Sequence, residues 1–315
     1  MFRIYYDSIQ EGMWFKDLNV HFNDARLEAI PNTLTNNEHN LNAFLLYDKP
    51  DIILKDNDNV ILILERTVEV PSGHNVGQRF GRLVAAAKEN VPVVYFGPYM
   101  AYKHGGNTAG PRYMNLRLFY SLRNLSAFYN TAVTTINWPV DEHYEVIKTR
   151  EKDKQIKEYL ELFFNYYDSN GINGINDYII HSDFQRKQII EQINFSKIQI
   201  FKPEQYNLPP DSVEIMTVTQ YLSKYGELPS ELKTMENILV YNIGMTYIRS
   251  DPYAGMSALY YFLYSSNKMT QILRFSNILK KEWYAQRKTT KTYRMFKEFS
   301  NAILFRDGLV LQADL

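Results

Sequence analysis

The run Val60-Ile61-Leu62-Ile63-Leu64 constrains this chain more than any other feature. A strand sends alternate side chains to opposite faces, and here both sets are apolar, so the run reads as a buried strand. The short apolar run Asp51-Ile52-Ile53-Leu54 precedes it, with turn-forming Lys55-Asp56-Asn57-Asp58-Asn59 between them. Together they predict a β-hairpin whose second strand extends from Val60 to Val70. Ser72-Gly73-His74 interrupts the pattern, and from Val76 the apolar residues fall at Val76, Phe80, Leu83, Val84 and Ala87, a helical spacing that Asn90 and Pro92 end. Val93-Val94-Tyr95-Phe96 reads as another buried strand. Strand, strand, helix, strand predicts an α/β fold, a mixed sheet flanked by helices.

Asn115–Tyr129 continues as a helix, and a charged helix is expected over Asp141–Tyr167, with Leu160, Phe163, Phe164 and Tyr167 as its core stripe. Asp168-Ser169-Asn170-Gly171-Ile172-Asn173-Gly174 is the densest turn-forming stretch and marks the expected boundary between a core at 1–170 and a second region at 175–315. That second region reads as mainly helical, around Tyr178–Phe195, Val213–Tyr225, Ser230–Ile248 and Pro252–Tyr264. Ile303–Leu311, with Asp307-Gly308 between apolar runs, predicts a terminal hairpin.

Composition removes several chemistries. With no cysteine there is no disulfide frame, thiolate metal site or thiol nucleophile. The six histidines have no metalloprotease spacing, and no serine lies in Gly-x-Ser-x-Gly. The loop Lys103–Arg112 is glycine-rich but lacks the Gly-Lys-Ser/Thr ending of a phosphate-binding P-loop. No stretch approaches the ~18 apolar residues of a membrane span, and the opening Met1–Asp7 lacks the plan of a signal peptide. A cytoplasmic protein without a membrane partner is expected. The 35 basic and 35 acidic residues balance, so any anionic partner must be met locally. Lys280–Lys297 offers such a place, with seven basic side chains against Glu282 and with Trp283, Tyr284 and Tyr293 interleaved. Lys280, Arg287, Lys291 and Arg294 could share a helical face, either as a phosphate-contacting surface or as an ordinary solvated one.

The chemistry concentrates at the hairpin. Alternation places Glu65, Thr67 and Glu69 on one face of the second strand, and Asp51 opens the neighbouring strand. Two adjacent carboxylates in an apolar sheet repel each other, and a divalent cation is the simplest way to keep both ionised. Oxygen-only ligation favours Mg²⁺, with Asp51 and Glu65 as its ligands. Taken singly, Asp51 is equally a strand-entry cap after Pro50 and Glu65 a salt-bridge partner.

Pro50-Asp51 and Glu65-Arg66-Thr67, followed by Gly77-Gln78-Arg79 at the start of a helix, resemble the PD-(D/E)XK nuclease superfamily, and type II restriction endonucleases within it. The resemblance covers about 43–96. It implies a restriction-endonuclease-like sheet and Mg²⁺-dependent hydrolysis of phosphodiesters in double-stranded DNA by a metal-activated water. It assigns Asp51 and Glu65 as metal ligands, with Thr67 and Gln78 completing the catalytic set. It also implies a homodimer if the target is palindromic. Thr67 departs from the motif's lysine; some restriction enzymes carry Glu or Gln there. Glu69, Lys103 and His104 are candidates to compensate, and Glu28 or Glu38 to supply an acidic residue from upstream. Arg79, Arg82 and Arg112 join the basic C-terminal residues as expected DNA contacts. Two other readings stay open: a non-catalytic DNA-binding protein on the same fold, and a helical protein-interaction module.

Overall fold

The hairpin predicted around Asp51 lies inside a six-stranded sheet in the computed structural model, which describes residues 1–31, 41–70, 75–102, 110–198, 213–245, 252–265 and 269–315. The chain divides into two units, one of residues 1–73 and 82–201, the other of 74–81 and 202–315. The boundary therefore falls near residue 201 rather than at 168–174. Residues 171–174 join two helices of the first unit, with Gly171 and Gly174 at positive φ. A dense turn signal marks a change of direction, which need not be a change of domain.

In the first unit the elements run β1 (Phe2–Tyr6), α1 (Ile9–Lys16), β2 (Arg26–Ala29), β3 (Ile52–Asp56), β4 (Asn59–Arg66), α2 (Asn75–Lys88), β5 (Val93–Gly97), β6 (Met100–Tyr102), β7 (Pro111–Tyr113), α3 (Leu116–Tyr129), β8 (Val133–Asn137), α4 (Lys154–Asn170), α5 (Ile175–Ile180) and α6 (Asp183–Ser196). The boundary between the units crosses α2. The sheet order is β2-β1-β3-β4-β5-β8, with β6 and β7 paired separately. β4, β5 and β8 are parallel, whereas β3 runs against both β1 and β4. Asn57 turns the β3–β4 hairpin in the left-handed region, at φ 51°, a conformation asparagine tolerates better than most residues. One face of the sheet, with Ile52, Leu54, Leu64 and Phe96, packs on Phe15 of α1 and Tyr159 and Phe163 of α4. The charged helix begins later than expected, since 141–149 are irregular and a 3-10 turn at Arg150–Asp153 leads into α4.

Among the described residues the second unit carries a sheet as well as helices. It carries β9 (Val213–Thr217), α7 (Val218–Tyr225), β10 (Asn237–Asn242), α8 (Pro252–Ser265), β11 (Thr270–Phe275), α9 (Lys280–Tyr284), α10 (Lys291–Glu298), β12 (Ala302–Phe305) and β13 (Gly308–Leu311). Its five strands form a second mixed sheet in the order β13-β12-β11-β10-β9. β10 lies where a helix was expected. Its run Asn237-Ile238-Leu239-Val240-Tyr241 is apolar on both faces, a pattern that a buried helix shares until the neighbouring strand is known. The terminal hairpin forms as predicted, pairing Phe305 with Gly308, and it adds to this sheet through β11. Among the described residues no helix is long and apolar enough to cross a membrane.

Candidate active site

β3 and β4 pair Ile52 with Leu64, so the next step outward along the hairpin brings Asp51 beside Glu65. Both are buried, at 6% and 0% exposure. Strand alternation turns Glu65 away from the Leu64 and Arg66 side of the sheet. On the face away from Leu64 and Arg66, Arg82 of α2 reaches Glu65, with Nη1 donating to Oε1 at 3.0 Å and Oε2 at 3.2 Å. The same nitrogen lies 3.6 Å from Asp51 Oδ1, and Arg82 Nε lies 3.5 Å from Asp48 Oδ2. The Arg66 main-chain N–H donates to Asp51 Oδ2 at 2.6 Å, which fixes the carboxyl and leaves Oδ1 towards Arg82.

Electrostatics follow from this geometry. Burial, then the charges of Glu65 and Glu11, push the Asp51 carboxyl up to about 8, against the Arg66 N–H bond and Arg82. Burial works against the Arg82 guanidinium, but Glu65, Asp48 and Asp51 outweigh it and hold its pKa above the ordinary arginine value. The one guanidinium thus lies within 3.6 Å of an oxygen of each of the Asp48, Asp51 and Glu65 carboxyls. Among the described residues no three Asp, Glu or His side chains converge as a ready cation cage. A donor set of one or two carboxylates, completed by water and substrate phosphate, is what Mg²⁺ takes in phosphoryl-transfer sites. Asp51 and Glu65 fit that requirement.

The other expected residues fall in different places. β4 stops at Arg66 instead of Val70, although the buried Thr67 still donates its N–H to the Phe96 carbonyl of β5 at 2.9 Å. The Thr67 hydroxyl donates to the Glu69 carbonyl at 2.9 Å and accepts the Glu69 N–H at 3.2 Å, closing a local turn. Glu69 itself is exposed, beside the Arg66 side chain. Gln78 lies in the first turns of α2, and its side chain falls outside the described residues, as do Glu38, Lys103 and His104. Glu28 sits on the edge strand β2, opposite Tyr5 in register. Arg82, expected to face DNA, is turned inward onto Glu65. Arg79 is half-buried in α2 and Arg112 lies on β7, half-buried.

The basic C-terminal segment is not one helix. It breaks between Tyr284 and Lys291, so Lys280 and Arg287 share no helical face with Lys291 and Arg294. Trp283 is buried and stacks on Tyr293 at 4.4 Å, as core rather than as a platform for bases. Arg287 and Lys291 are exposed, while Lys280 and Arg294 are partly buried.

Sequence reasoning missed two residues of this site. Glu11, whose charge acts on Asp51, is held by Ser8 in a capping box, its Oε2 accepting the Ser8 hydroxyl at 2.6 Å. Ser8-Ile9-Gln10-Glu11 is a legible helix-start signature that would have placed α1 there. Asp48 carries no such signal. No family model, curated protein or solved structure matches this chain.

Proposed function

We propose that this chain is a Mg²⁺-dependent nuclease that hydrolyses phosphodiester bonds in double-stranded DNA, with Asp51 and Glu65 holding the cation. The observation that carries the reading is the buried pair of carboxyls, Asp51 and Glu65, side by side on adjacent strands. When bound, the cation supplies Lewis acidity to the scissile phosphate and lowers the pKa of the attacking water. The chain's own groups prepare the site. The Arg66 N–H orients Asp51, and Arg82 donates to both Glu65 oxygens and so fixes the plane of that carboxyl. To hold a cation, Asp51 would release its proton to solvent and bind as the carboxylate. Arg82 supplies the positive charge that Thr67 does not, from the helix instead of the strand. Cleavage at a palindrome, as by a type II restriction enzyme, would use a homodimer.

Plasmid cleavage with and without Mg²⁺ tests the reading. Asp51→Ala and Glu65→Ala are each expected to lower the rate by more than the roughly 10–100-fold that outer-shell changes cost. Unaltered cleavage in both variants removes this site. The contact of Arg82 with both Glu65 oxygens favours one other reading, a non-catalytic DNA-binding protein on this fold, in which the guanidinium replaces the cation permanently. DNA binding that weakens with salt, without metal-dependent cleavage, identifies that case.

A further inference from the structure

β4 sends the residue after Glu65, Arg66, to the opposite face of the sheet. There the guanidinium carbon lies 4.5 Å from the Trp14 ring centroid and 5.0 Å from that of Trp138. Its Nε is buried without a hydrogen-bond partner, and among the described residues no carboxylate forms an ion pair with it. Asp153 is already held by Trp14 Nε1 at 2.9 Å and Lys152 Nζ at 2.9 Å. Stacking on indoles offsets only part of the cost of a desolvated cation, so this side chain has an unmet demand for an anion.

Arg66 opens into a pocket of about 480 Å³, within the roughly 300–1,000 Å³ of small-molecule sites. Arg112, Lys148 and Lys152 share the wall with it, against two carboxylates, Glu69 and Glu145. Val68 and Tyr102 give the same pocket an apolar side, and both are exposed. The adjoining backbone is strained, because Tyr144 takes φ 63°. The Tyr102 N–H holds it there through the Tyr144 carbonyl at 2.7 Å. A bulky residue in the left-handed region is uncommon and recurs at ligand sites.

We propose that this pocket binds one nucleotide unit, its phosphate on the Arg66 guanidinium and its base against Val68 and Tyr102. The choice of a nucleotide over another flat anion rests on the nuclease reading. Arg66 links the two places: its main-chain N–H holds Asp51, and its side chain opens the pocket. A phosphate at the carboxylates and a nucleotide in the pocket are thus held by consecutive residues of one strand.

Calorimetric titration of the full chain in EDTA with dAMP, deoxyadenosine, inorganic phosphate and the hexamer d(A)6 tests this. The expected result is dAMP bound at least about tenfold more tightly than deoxyadenosine or phosphate, because charge-assisted bonds and apolar contact act together. Arg66→Gln and Lys148→Glu should each weaken dAMP at least about fivefold. Lys148 is exposed, so its variant probes the pocket without disturbing the packing around Arg66. Tighter binding of the hexamer assigns the unit to a strand and equal binding to a free nucleotide; both sustain the pocket. Binding of dAMP no tighter than phosphate, or unchanged in both variants, overturns it. Because no metal is present, cleavage without dAMP binding removes the pocket alone, and dAMP binding without cleavage removes the nuclease reading alone.

Discussion

Arg82 holds the balance at the carboxylate site. Glu65 is fully buried, and its carboxylate accepts from that guanidinium at 3.0 Å. Removing one partner of a buried pair costs about 3–5 kcal/mol, mostly for the charge left behind. Arg82→Met should therefore lower urea-unfolding stability by that order in EDTA, and Mg²⁺ should restore part of it if the cation takes the vacated charge. Asp51 gives a second handle. Its carboxyl sits at about 8 in the folded chain against 3.8 ordinarily, so the folded state binds the proton more tightly. The resulting stability is complete below about pH 4 and is lost as pH rises through 8. Stability without metal should fall across that window, with a slope approaching about 1.4 kcal/mol per pH unit. Asp51→Asn should flatten the slope, and an unchanged profile would count against the raised carboxyl. The Asp51–Glu65 pair was legible because strand alternation and hairpin pairing are local rules. Arg82 was not, because its helical face alone does not reveal which strand residue lies beneath it.

At the scale of elements, α2 shows how one helix serves two surroundings. Its first turns belong to the second unit, where a Cβ built on Gly77 would lie 2.3 Å from the Met256 main-chain N and 2.6 Å from the Gly255 carbonyl carbon. The contact is backbone against helix, so neither side can yield cheaply. Glycine to alanine in a free helix gains up to about 1 kcal/mol, but here Gly77→Ala should destabilise the protein, measured as a lower thermal midpoint. A gain would mean that α8 can move away. The apolar spacing from Val76 predicted the helix correctly, since Phe80, Leu83 and Val84 are all buried. It could not predict the close approach at Gly77, because a glycine in a helical pattern looks the same whether it is merely tolerated or required. Pattern failed more plainly at β10, where an apolar run read as helix became a central strand. The Asp307-Gly308 turn succeeded because Gly308, at φ 123°, occupies a conformation that few other residues adopt.

For the molecule as a whole, assigning 74–81 to the second unit has a measurable consequence. Phe80 is fully buried and packs on Phe262 at 5.7 Å, a partner that a 1–201 fragment lacks. In hydrogen exchange, such a fragment should lose protection over 75–81 while keeping it over 82–88, which belong to the first unit and bury Leu83, Val84 and Ala87. Equal protection along the helix would mean that the first unit alone holds it. By itself the sequence determined that an apolar hairpin carries two carboxylates, that a helix and a buried strand follow, and that a second hairpin lies at Ile303–Leu311. Each of these rests on periodicity or turn chemistry within a few residues. Only the tertiary structure decided that Arg82 meets Glu65, that Arg66 lies between two tryptophans 52 and 72 positions away, and that the C-terminal region carries a five-stranded sheet beside its helices. Those outcomes depend on which distant segments become neighbours, and strand pairing and charge compensation act through space between residues that no local pattern connects.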